Sequence, residues 1–240
     1  MMKPYQKIKI QECHEPLIPI PLEKFAIESP HPYQKLGAPY HLSPASSPYF
    51  LRQKVLDSLM AAQTKLQQKY PSWHIQIFDA YRPIAVQQFM VDYTFLETVK
   101  AEGLTLDSPE LTEAKRQKIL ELVYQFWAAP SLDPATPPPH STGAAVDVTL
   151  VDANGKNVDM GSPIDELSPR SYPNHFLESQ NEEDRKYHQH RQLLAGVMLS
   201  VGFQQHQQEW WHFSLGDQMW AWLTSEENGG GEVVARYGRV

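Results

Sequence analysis

Two short stretches of the sequence contain side chains suited to binding and using a divalent metal ion. PPPHSTGAAVDVTL, residues 137–150, contains His140 and Asp147, and EWWHF contains Glu209 and His212. A catalytic zinc site takes three protein ligands from His, Asp or Glu and leaves its fourth position open to water. The sequence therefore predicts a zinc site formed by the two histidines and the aspartate, with the glutamate left free for chemistry.

The spacing of these residues requires local breaks in regular strand geometry. Residues seven or three apart on an ideal strand point to opposite faces of the sheet. Three prolines before His140 and Gly143 after it predict that this histidine lies off the strand that carries Asp147. For Glu209 and His212 we expect a β-bulge or a strand start at the two intervening tryptophans, which turns both side chains inward.

A carboxylate beside such a metal can act on an attacking water. Glu209 could remove a proton from that water and pass it to a leaving amine. The two tryptophans beside it would form dry walls that strengthen local electrostatic interactions. Arg82, in FDAYRP, is the candidate for stabilising charge on a carbonyl oxygen. Together these roles describe metal-assisted hydrolysis.

Each residue also has a simpler structural explanation. His140 could make one hydrogen bond in a loop, and Asp147 could cap a turn or lie on a wet face. EWWHF could be an aromatic core strand, and Arg82 could form a surface ion pair. The metal interpretation rests on the combination of a broken strand entry, a polar residue among apolar ones and a second acid–histidine pair.

The surrounding sequence predicts a small sheet and several helices that position these residues. Apolar periodicity indicates helices over about 51–70, 84–99, 107–127 and 181–201, with Asp107 and Asn181 as N-caps, and a short helix in DQMWAWL. Strands are expected in HIQIFD, at 145–151 and in QEWWHFSL, with KNVDM returning as a hairpin after the DANG turn.

Length and composition indicate one domain and exclude some classes of partner. We expect residues 1–240 to form a single domain, with 1–48 as an extended N-terminal arm and 226–240 as a loosely held tail. The net charge of −7 and the absence of a basic run argue against nucleic acid and anionic membrane as partners. The oligomeric state stays open.

The same considerations favour a location in the cytoplasm. No apolar leader segment and no run of about 18 apolar residues occurs in the sequence. The single cysteine, Cys13, cannot form an internal disulfide, so nothing indicates an oxidising compartment.

The chemical motifs also resemble those of a known family. HSTGAAVDVTL is similar to the His-x-x-Gly-x-Ala-x-Asp element, and EWWHF to the Glu-x-x-His element, of zinc D-alanyl-D-alanine dipeptidases related to the vancomycin-resistance enzymes. FDAYRP resembles the family's arginine motif, and DMGSPID its Met-Gly-x-x-x-Asp loop. The resemblance covers about residues 70–215 in order and spacing.

The resemblance implies a fold, a metal and a role for each motif residue. The implied fold is α+β, with a small antiparallel sheet flanked by helices, as in D,D-carboxypeptidases and the hedgehog signalling domain. By motif position, His140, Asp147 and His212 would bind one zinc ion. Glu209 would be the catalytic base and Arg82 would stabilise the tetrahedral intermediate.

The resemblance also implies an acid that binds the amino end of the substrate. Asp165 matches the residue that receives the free ammonium of a dipeptide, although Asp159 is close enough in sequence to serve instead. One departure concerns Pro138, which stands where the family often has a serine. A hydroxyl that could contact substrate is therefore missing.

The expected reaction is hydrolysis of D-alanyl-D-alanine to D-alanine in cell-wall metabolism. A neighbouring alternative is a D,D-carboxypeptidase or endopeptidase that acts on peptidoglycan stem peptides. It would be favoured by a cleft open at the substrate's amino end without an acid from 159 to 165. A second alternative is a non-catalytic zinc-stabilised binding domain, which would have no need for both Glu209 and Arg82.

Overall fold

The computed structural model describes residues 3–240 and contains six α-helices and seven strands in that range. The helices are α1 (Pro32–Lys35), α2 (Gln53–Lys69), α3 (Ile84–Ala101), α4 (Glu113–Phe126), α5 (Glu182–Leu199) and α6 (Gln218–Glu227). The strands are β1 (Leu17–Pro19), β2 (Ala26–Ile27), β3 (Phe50–Arg52), β4 (His74–Asp79), β5 (Ala145–Val151), β6 (Gln204–Gln205) and β7 (His212–Ser214). None of the helices within residues 3–240 combines the length and apolarity needed to cross a bilayer.

A five-stranded sheet forms the centre of the fold. Its strand order is β2-β4-β5-β7-β6, and β1 and β3 form a separate antiparallel pair. The predicted α+β class, with a small antiparallel sheet flanked by helices, is confirmed except at one edge of the sheet. The short pair β2–β4 at the edge differs from that prediction, because it is parallel.

The two faces of the sheet have different chemistry. On one face, alternate apolar residues of β4 and β5 form the main core with α2 and α5. This core contains Ile75, Ile77, Val146, Val148, Leu150, Leu59, Leu194 and Met198. Because side chains alternate along a strand, the intervening residues of β5 face the other way. Asp147 is one of these, so burial of the apolar set places its carboxylate on the functional face.

Strand register aligns three polar residues in one row across that face. Asp79 on β4 pairs with Asp147 on β5, and Asp147 pairs with His212 on β7. The ladder shifts register between Ile77 and Asp79, as in a β-bulge, which inserts an extra residue and re-aims the following side chain. The irregularity therefore brings the end of β4 into line with the two predicted metal ligands.

The third long helix begins later than predicted. Asp107 was expected to cap it, but α4 starts at Glu113 with Thr112 as the N-cap, whose Oγ1 accepts from the Lys115 N–H at 3.3 Å. The preceding residues form a separate turn in which the Ser108 hydroxyl oxygen accepts from the Thr105 N–H. The hydroxyl of Ser108 therefore stabilises a turn before the helix, and Thr112 caps the helix itself.

Two predicted strands are shorter than expected. KNVDM forms only an isolated bridge, between Val151 and Asn157. QEWWHFSL is a strand only from His212, because the Trp210 N–H donates to the Ser171 carbonyl at 2.9 Å instead of joining β5. The strand start expected at the two tryptophans is thereby confirmed.

The two ends of the chain are attached to the body of the protein. In the predicted arm, Tyr33 and Tyr40 are buried beside α3 and α4. The tail at 226–240 was predicted to be loosely held, and this is wrong around Ala235 and Tyr237, which are buried. Tyr237 packs so closely on Gly216 that a Cβ there would lie 2.7 Å from its ring. Burial of this aromatic ring therefore holds the end of the chain on the body of the protein.

Candidate active site

His140 lies in a short 3₁₀ turn, Pro139–Thr142, immediately before β5. Gly143 ends the turn in the left-handed region at φ +71°, and a Cβ there would lie 2.5 Å from the Leu17 side chain. Glycine is required because this backbone conformation and this contact both exclude a side chain. The prediction that His140 sits off the strand is confirmed.

One backbone hydrogen bond orients the His140 ring. Its Nδ1–H donates to the Ala80 carbonyl at 2.7 Å, so Nε2 carries the lone pair. Nε2 lies 3.2 Å from Oδ2 of Asp147. The imidazole is therefore fixed in the tautomer and direction that a metal ligand needs.

The three predicted ligands are buried and converge on one point. His140 Nε2 lies 3.1 Å from His212 Nδ1, and His212 Nδ1 lies 3.0 Å from Asp147 Oδ1. Ligands about 2.0–2.1 Å from a tetrahedral zinc are separated from one another by about 3.3–3.4 Å. The spacing and the His₂Asp composition therefore fit one zinc ion.

A second chain of hydrogen bonds holds the His212 ring through its other nitrogen, Nε2. Its Nε2–H donates to the Ser214 hydroxyl at 3.3 Å, and that hydroxyl donates to Oδ2 of Asp217 at 2.8 Å. Asp217 is also the N-cap of α6, where Oδ1 accepts from the Trp220 N–H. Burial raises the pKa of Asp217 to about 6. The sequence alone gave no reason to single out Ser214 or Asp217.

Replacing Ser214 by alanine is expected to weaken zinc binding about 10- to 100-fold, as loss of partners behind metal-binding histidines does. Without the hydroxyl, the His212 ring loses the acceptor that holds its Nδ1 toward the metal. Competition with a chromophoric chelator would measure the change, with the exposed Ser72→Ala as the matched control. Equal affinities for Ser214→Ala and wild type would contradict this role.

Arg82 lies at the end of β4 between two carboxylates. Its Nε donates to Oδ2 of Asp79 at 2.8 Å, and Nη2 lies 3.3 Å from Oδ2 of Asp147. The other oxygen of Asp79 accepts from the Tyr40 hydroxyl at 2.7 Å and lies 3.2 Å from Nε2 of His31. Burial opposes ionisation of Asp79, but Arg82 and His31 lower its pKa to about 2. Asp79 is therefore a fixed negative charge that anchors the guanidinium.

The other contacts of Arg82 hold its plane in place. Nη1 donates to the Gln87 side-chain oxygen at 3.0 Å. The guanidinium carbon lies 5.2 Å from the centre of the Tyr33 ring and 4.9 Å from that of Trp127. These aromatic faces favour a cation and restrict its motion. Arg82 is thus pre-oriented, and its Nη2 points toward the ligand set.

Glu209 is buried beside the ligand set. Its Oε2 lies 3.9 Å from Nδ1 of His212, and its Oε1 lies 3.9 Å from Nδ1 of His206. Burial and the charge of Asp147 raise the pKa of Glu209 well above its usual range, and the nearby Lys3 ammonium opposes that rise. Its position and basicity suit a group that accepts a proton close to the metal.

Asp165 lies on a loop at another side of the same cavity. Its Oδ2 accepts from the Tyr33 hydroxyl at 2.8 Å, and its φ of +66° is uncommon for a residue with a side chain. Burial, followed by the charge of Asp147, raises the pKa of Asp165 to about 7. Asp159, the alternative acid, does not line this cavity; its Oδ1 accepts from the Gly161 N–H instead.

The loop that carries Asp165 is anchored by a buried arginine of α5. Arg191 donates to the carbonyls of Met160, Arg170 and Tyr172, at 2.7 to 2.8 Å. It also donates to the Ser162 hydroxyl at 3.1 Å. All of these acceptors belong to the loop segment 160–172, so one cation fixes both ends of the loop.

All six predicted site residues line one cavity. They are His140, Asp147, His212, Glu209, Arg82 and Asp165. Trp211 also lines it, but Trp210 does not; its indole N–H donates to the Ser162 hydroxyl, so the prediction of two tryptophan walls is half right. Sequence reasoning missed other lining residues, among them Lys3, Tyr5, Gln87, Trp127, His206 and Met219.

The cavity is small. Its volume is about 40 Å³, and on this measure one water molecule needs about 10–15 Å³. Such a space suits a small ligand better than a long chain.

Comparisons with known proteins agree with the motifs. A family model described as D-ala-D-ala dipeptidase (Peptidase_M15) matches residues 28–227. The chain is 50% identical over 245 positions to a D-alanyl-D-alanine dipeptidase of Synechocystis sp., covering 100% of this chain and 97% of the relative. A D-alanyl-D-alanine dipeptidase of Escherichia coli is 38% identical over 76 residues, which is 32% of this chain and 37% of the relative.

A solved structure shows a looser similarity. The crystal structure of a mutant of the vancomycin-resistance D,D-pentapeptidase VanY with Zn(II) gives a TM-score of 0.43 at 16% identity, covering 75% of this chain and 80% of that chain. The assignment to a family rests on the other comparisons, because the family model spans most of the chain and the Synechocystis relative aligns over all of it. The chain belongs to the D-Ala-D-Ala dipeptidase family.

Proposed function

We propose that this protein is a zinc metallopeptidase that hydrolyses D-alanyl-D-alanine to two molecules of D-alanine. The observation that carries this proposal is the convergence of His140, Asp147 and His212 in one small buried cavity that also contains Glu209 and Arg82. Family membership and the full-length similarity to a D-alanyl-D-alanine dipeptidase support the substrate.

The protein groups divide the chemistry among them. A zinc ion, when bound by the three ligands, supplies Lewis-acid activation of a water and of the substrate carbonyl. Glu209 removes the proton of the attacking water and delivers it to the nitrogen of the leaving D-alanine. Arg82 donates to the carbonyl oxygen as negative charge develops on it. Because Asp79, Tyr33 and Trp127 already orient the guanidinium, little reorganisation is needed.

Asp165 selects the free amino end of the substrate. Its carboxylate lies in the same buried cavity as the ligand set, and an ammonium placed there would neutralise a charge that burial otherwise disfavours. A substrate that continues beyond that point would have to place an uncharged amide against the acid. The position of Asp165 therefore supports a dipeptidase over an enzyme of peptidoglycan stem peptides.

The assignment of Arg82 predicts a defect in turnover with normal metal content. Arg82→Lys keeps the positive charge, but the lysine ammonium lacks the planar, forked donors with which the guanidinium contacts groups on two sides. We expect kcat to fall about 10²- to 10³-fold, as on removal of one donor to a developing oxyanion. Steady-state kinetics with zinc analysis would measure this, with the exposed Arg185→Lys as the control. A loss of zinc in parallel with activity would assign Arg82 to metal binding instead.

A comparison of three substrates tests the proposed function. Purified protein is incubated with D-Ala-D-Ala, L-Ala-L-Ala and N-acetyl-D-Ala-D-Ala, with and without a chelator. We expect turnover of the first alone, abolished by the chelator and restored by zinc. Rapid cleavage of the acetylated compound would favour a carboxypeptidase, and no cleavage of any of the three would favour the binding domain.

We further propose that the protein works in the cytoplasm as one zinc peptidase domain spanning residues 1–240, with small molecules rather than nucleic acid or membrane as partners. The net charge of −7 supports the partner class. Shared burial supports the single domain, since Ile20 and Phe25 of the arm and Tyr237 of the tail belong to the main core.

A further inference from the structure

The N-terminal segment of the described chain is packed beside the active site. Pro4–Lys7 forms a 3₁₀ turn in which Tyr5 is buried against Met219 and Leu223 of α6. The Gln218 side-chain amide of the same helix donates to the Ile8 carbonyl at 2.6 Å. Apolar burial and a hydrogen bond thus hold this segment on α6, whose first turn is linked to the metal site.

This packing places the Lys3 side chain in the wall of the catalytic cavity. The Lys3 N–H donates to the Gln6 side-chain oxygen at 2.8 Å, which fixes the start of the turn. The Lys3 side chain is half-buried and lines the cavity together with Glu209 and His206. Burial lowers the pKa of Lys3, and the nearby Glu209 carboxylate partly offsets that effect.

Lys3 and Asp165 carry opposite charges and lie beside different groups of the cavity wall. Asp165 accepts a hydrogen bond from the Tyr33 hydroxyl, and the Tyr33 ring lies against the Arg82 guanidinium. Lys3 instead lines the cavity with Glu209 and His206. Burial and then the charge of His212 lower the pKa of His206, and the charge of Lys3 adds to that effect. One small cavity therefore presents an acid on its arginine side and an ammonium on its glutamate side. A zwitterionic dipeptide carries the complementary pair of charges.

The chemistry of the proposed reaction fixes which end of the substrate lies near Lys3. Glu209 hands its proton to the leaving nitrogen, so that nitrogen must lie beside the Glu209 carboxyl group. In a dipeptide the terminal carboxylate is only one carbon away from this nitrogen. The carboxylate must therefore lie on the glutamate side of the cavity, where Lys3 supplies a cation.

We propose that the Lys3 ammonium binds the terminal carboxylate of the substrate, and so makes the N-terminal segment part of the specificity site. This inference rests on the proposed dipeptidase function. Lys3 thereby complements Asp165, and the two charges together match the two charged ends of a dipeptide. A substrate whose terminal carboxylate is blocked as an amide loses this contact.

The test measures the preference for a carboxylate in the zinc-loaded enzyme. kcat/KM is determined for D-Ala-D-Ala and for D-Ala-D-Ala amide with wild type, Lys3→Met and Lys3→Arg. Lys3→Met is expected to reduce the ratio of kcat/KM for the free acid to kcat/KM for the amide about 10- to 100-fold, which is the range for a hydrogen bond to a charged group. Most of this change should come from a higher KM for the free acid. Lys3→Arg should restore most of the ratio.

The matched control is Lys7→Met, which removes an exposed lysine from the same turn and should leave the ratio unchanged. Thermal unfolding of each variant verifies that the segment remains folded. If Lys3→Met lowers kcat/KM equally for both substrates, Lys3 acts through Glu209 and the proposal is overturned. An unchanged ratio with normal activity overturns it as well.

A binding experiment separates this proposal from the proposed function. N-acetyl-D-alanine carries the terminal carboxylate without a dipeptide ammonium, and N-acetyl-D-alaninamide lacks that charge. Ligand-observed NMR on the zinc-loaded protein should show tighter binding of the acid, and Lys3→Met should abolish the difference. If wild type fails to hydrolyse D-Ala-D-Ala yet shows this Lys3-dependent difference, only the substrate assignment fails. If wild type hydrolyses the dipeptide without the difference, only the role of Lys3 fails.

Discussion

Glu209→Gln is expected to lower kcat for D-Ala-D-Ala about 10²- to 10⁴-fold while leaving the zinc content at the wild-type level. The amide has nearly the same shape as the carboxylate but cannot accept a proton from the attacking water. Glu209 lies close to the three ligands without forming part of the set, so metal binding should persist. Stopped or continuous assays of D-alanine release would measure the change.

The matched control for this substitution is Glu110→Gln, which changes an exposed carboxylate on the surface. It should leave both kcat and zinc content unchanged. Glu209→Gln protein with near-normal kcat would show that another group accepts the proton. Protein without zinc would instead place Glu209 among the structural determinants of the metal site.

Asp147→Asn is expected to remove both zinc and activity. A neutral amide is a poor ligand for zinc, and the change leaves only two histidines on the metal. Lewis-acid activation is worth several kcal/mol of transition-state stabilisation, so the rate should fall about 10³-fold or more. Metal analysis of the purified variant, together with its rate, measures both effects.

Thermal unfolding provides an independent measurement of the same loss. A ligand that binds only the folded state raises its stability, so added zinc should raise the Tm of metal-free wild type. Asp147→Asn should show no such rise, whereas the exposed Asp92→Asn should behave like wild type. A normal zinc-dependent rise in Asp147→Asn would exclude Asp147 from the ligand set.

The sequence was most informative where chemistry depends on neighbouring residues along the chain. Prolines before His140 and a glycine after it predicted the turn that the structure contains. Alternation of apolar residues along β5 predicted that the Asp147 side chain points away from the apolar face of the sheet. In both places the cause is local, because backbone restrictions and strand periodicity act over a few residues.

The residues that hold the catalytic groups in place were not predictable in this way. Asp79 meets Arg82 three residues away, but its alignment with Asp147 depends on the register shift at the end of β4. Ser214 becomes relevant only because the register of β7 turns His212 toward the metal site. Lys3 reaches the site through packing on a helix more than two hundred residues later in the chain. Such contacts depend on tertiary packing, and no short motif encodes them.

The fixation of the 160–172 loop by Arg191 has an evolutionary consequence. In the proposed mechanism, hydrolysis would use groups on β5 and β7 and on the segments next to the central sheet. Recognition of the amino end would use a loop tied to α5 by one buried cation. Different parts of the fold would therefore position the hydrolytic groups and the group that binds the amino end. Remodelling of this loop alone could open the amino end to longer chains, so a lineage could acquire new substrates without rebuilding its catalytic apparatus.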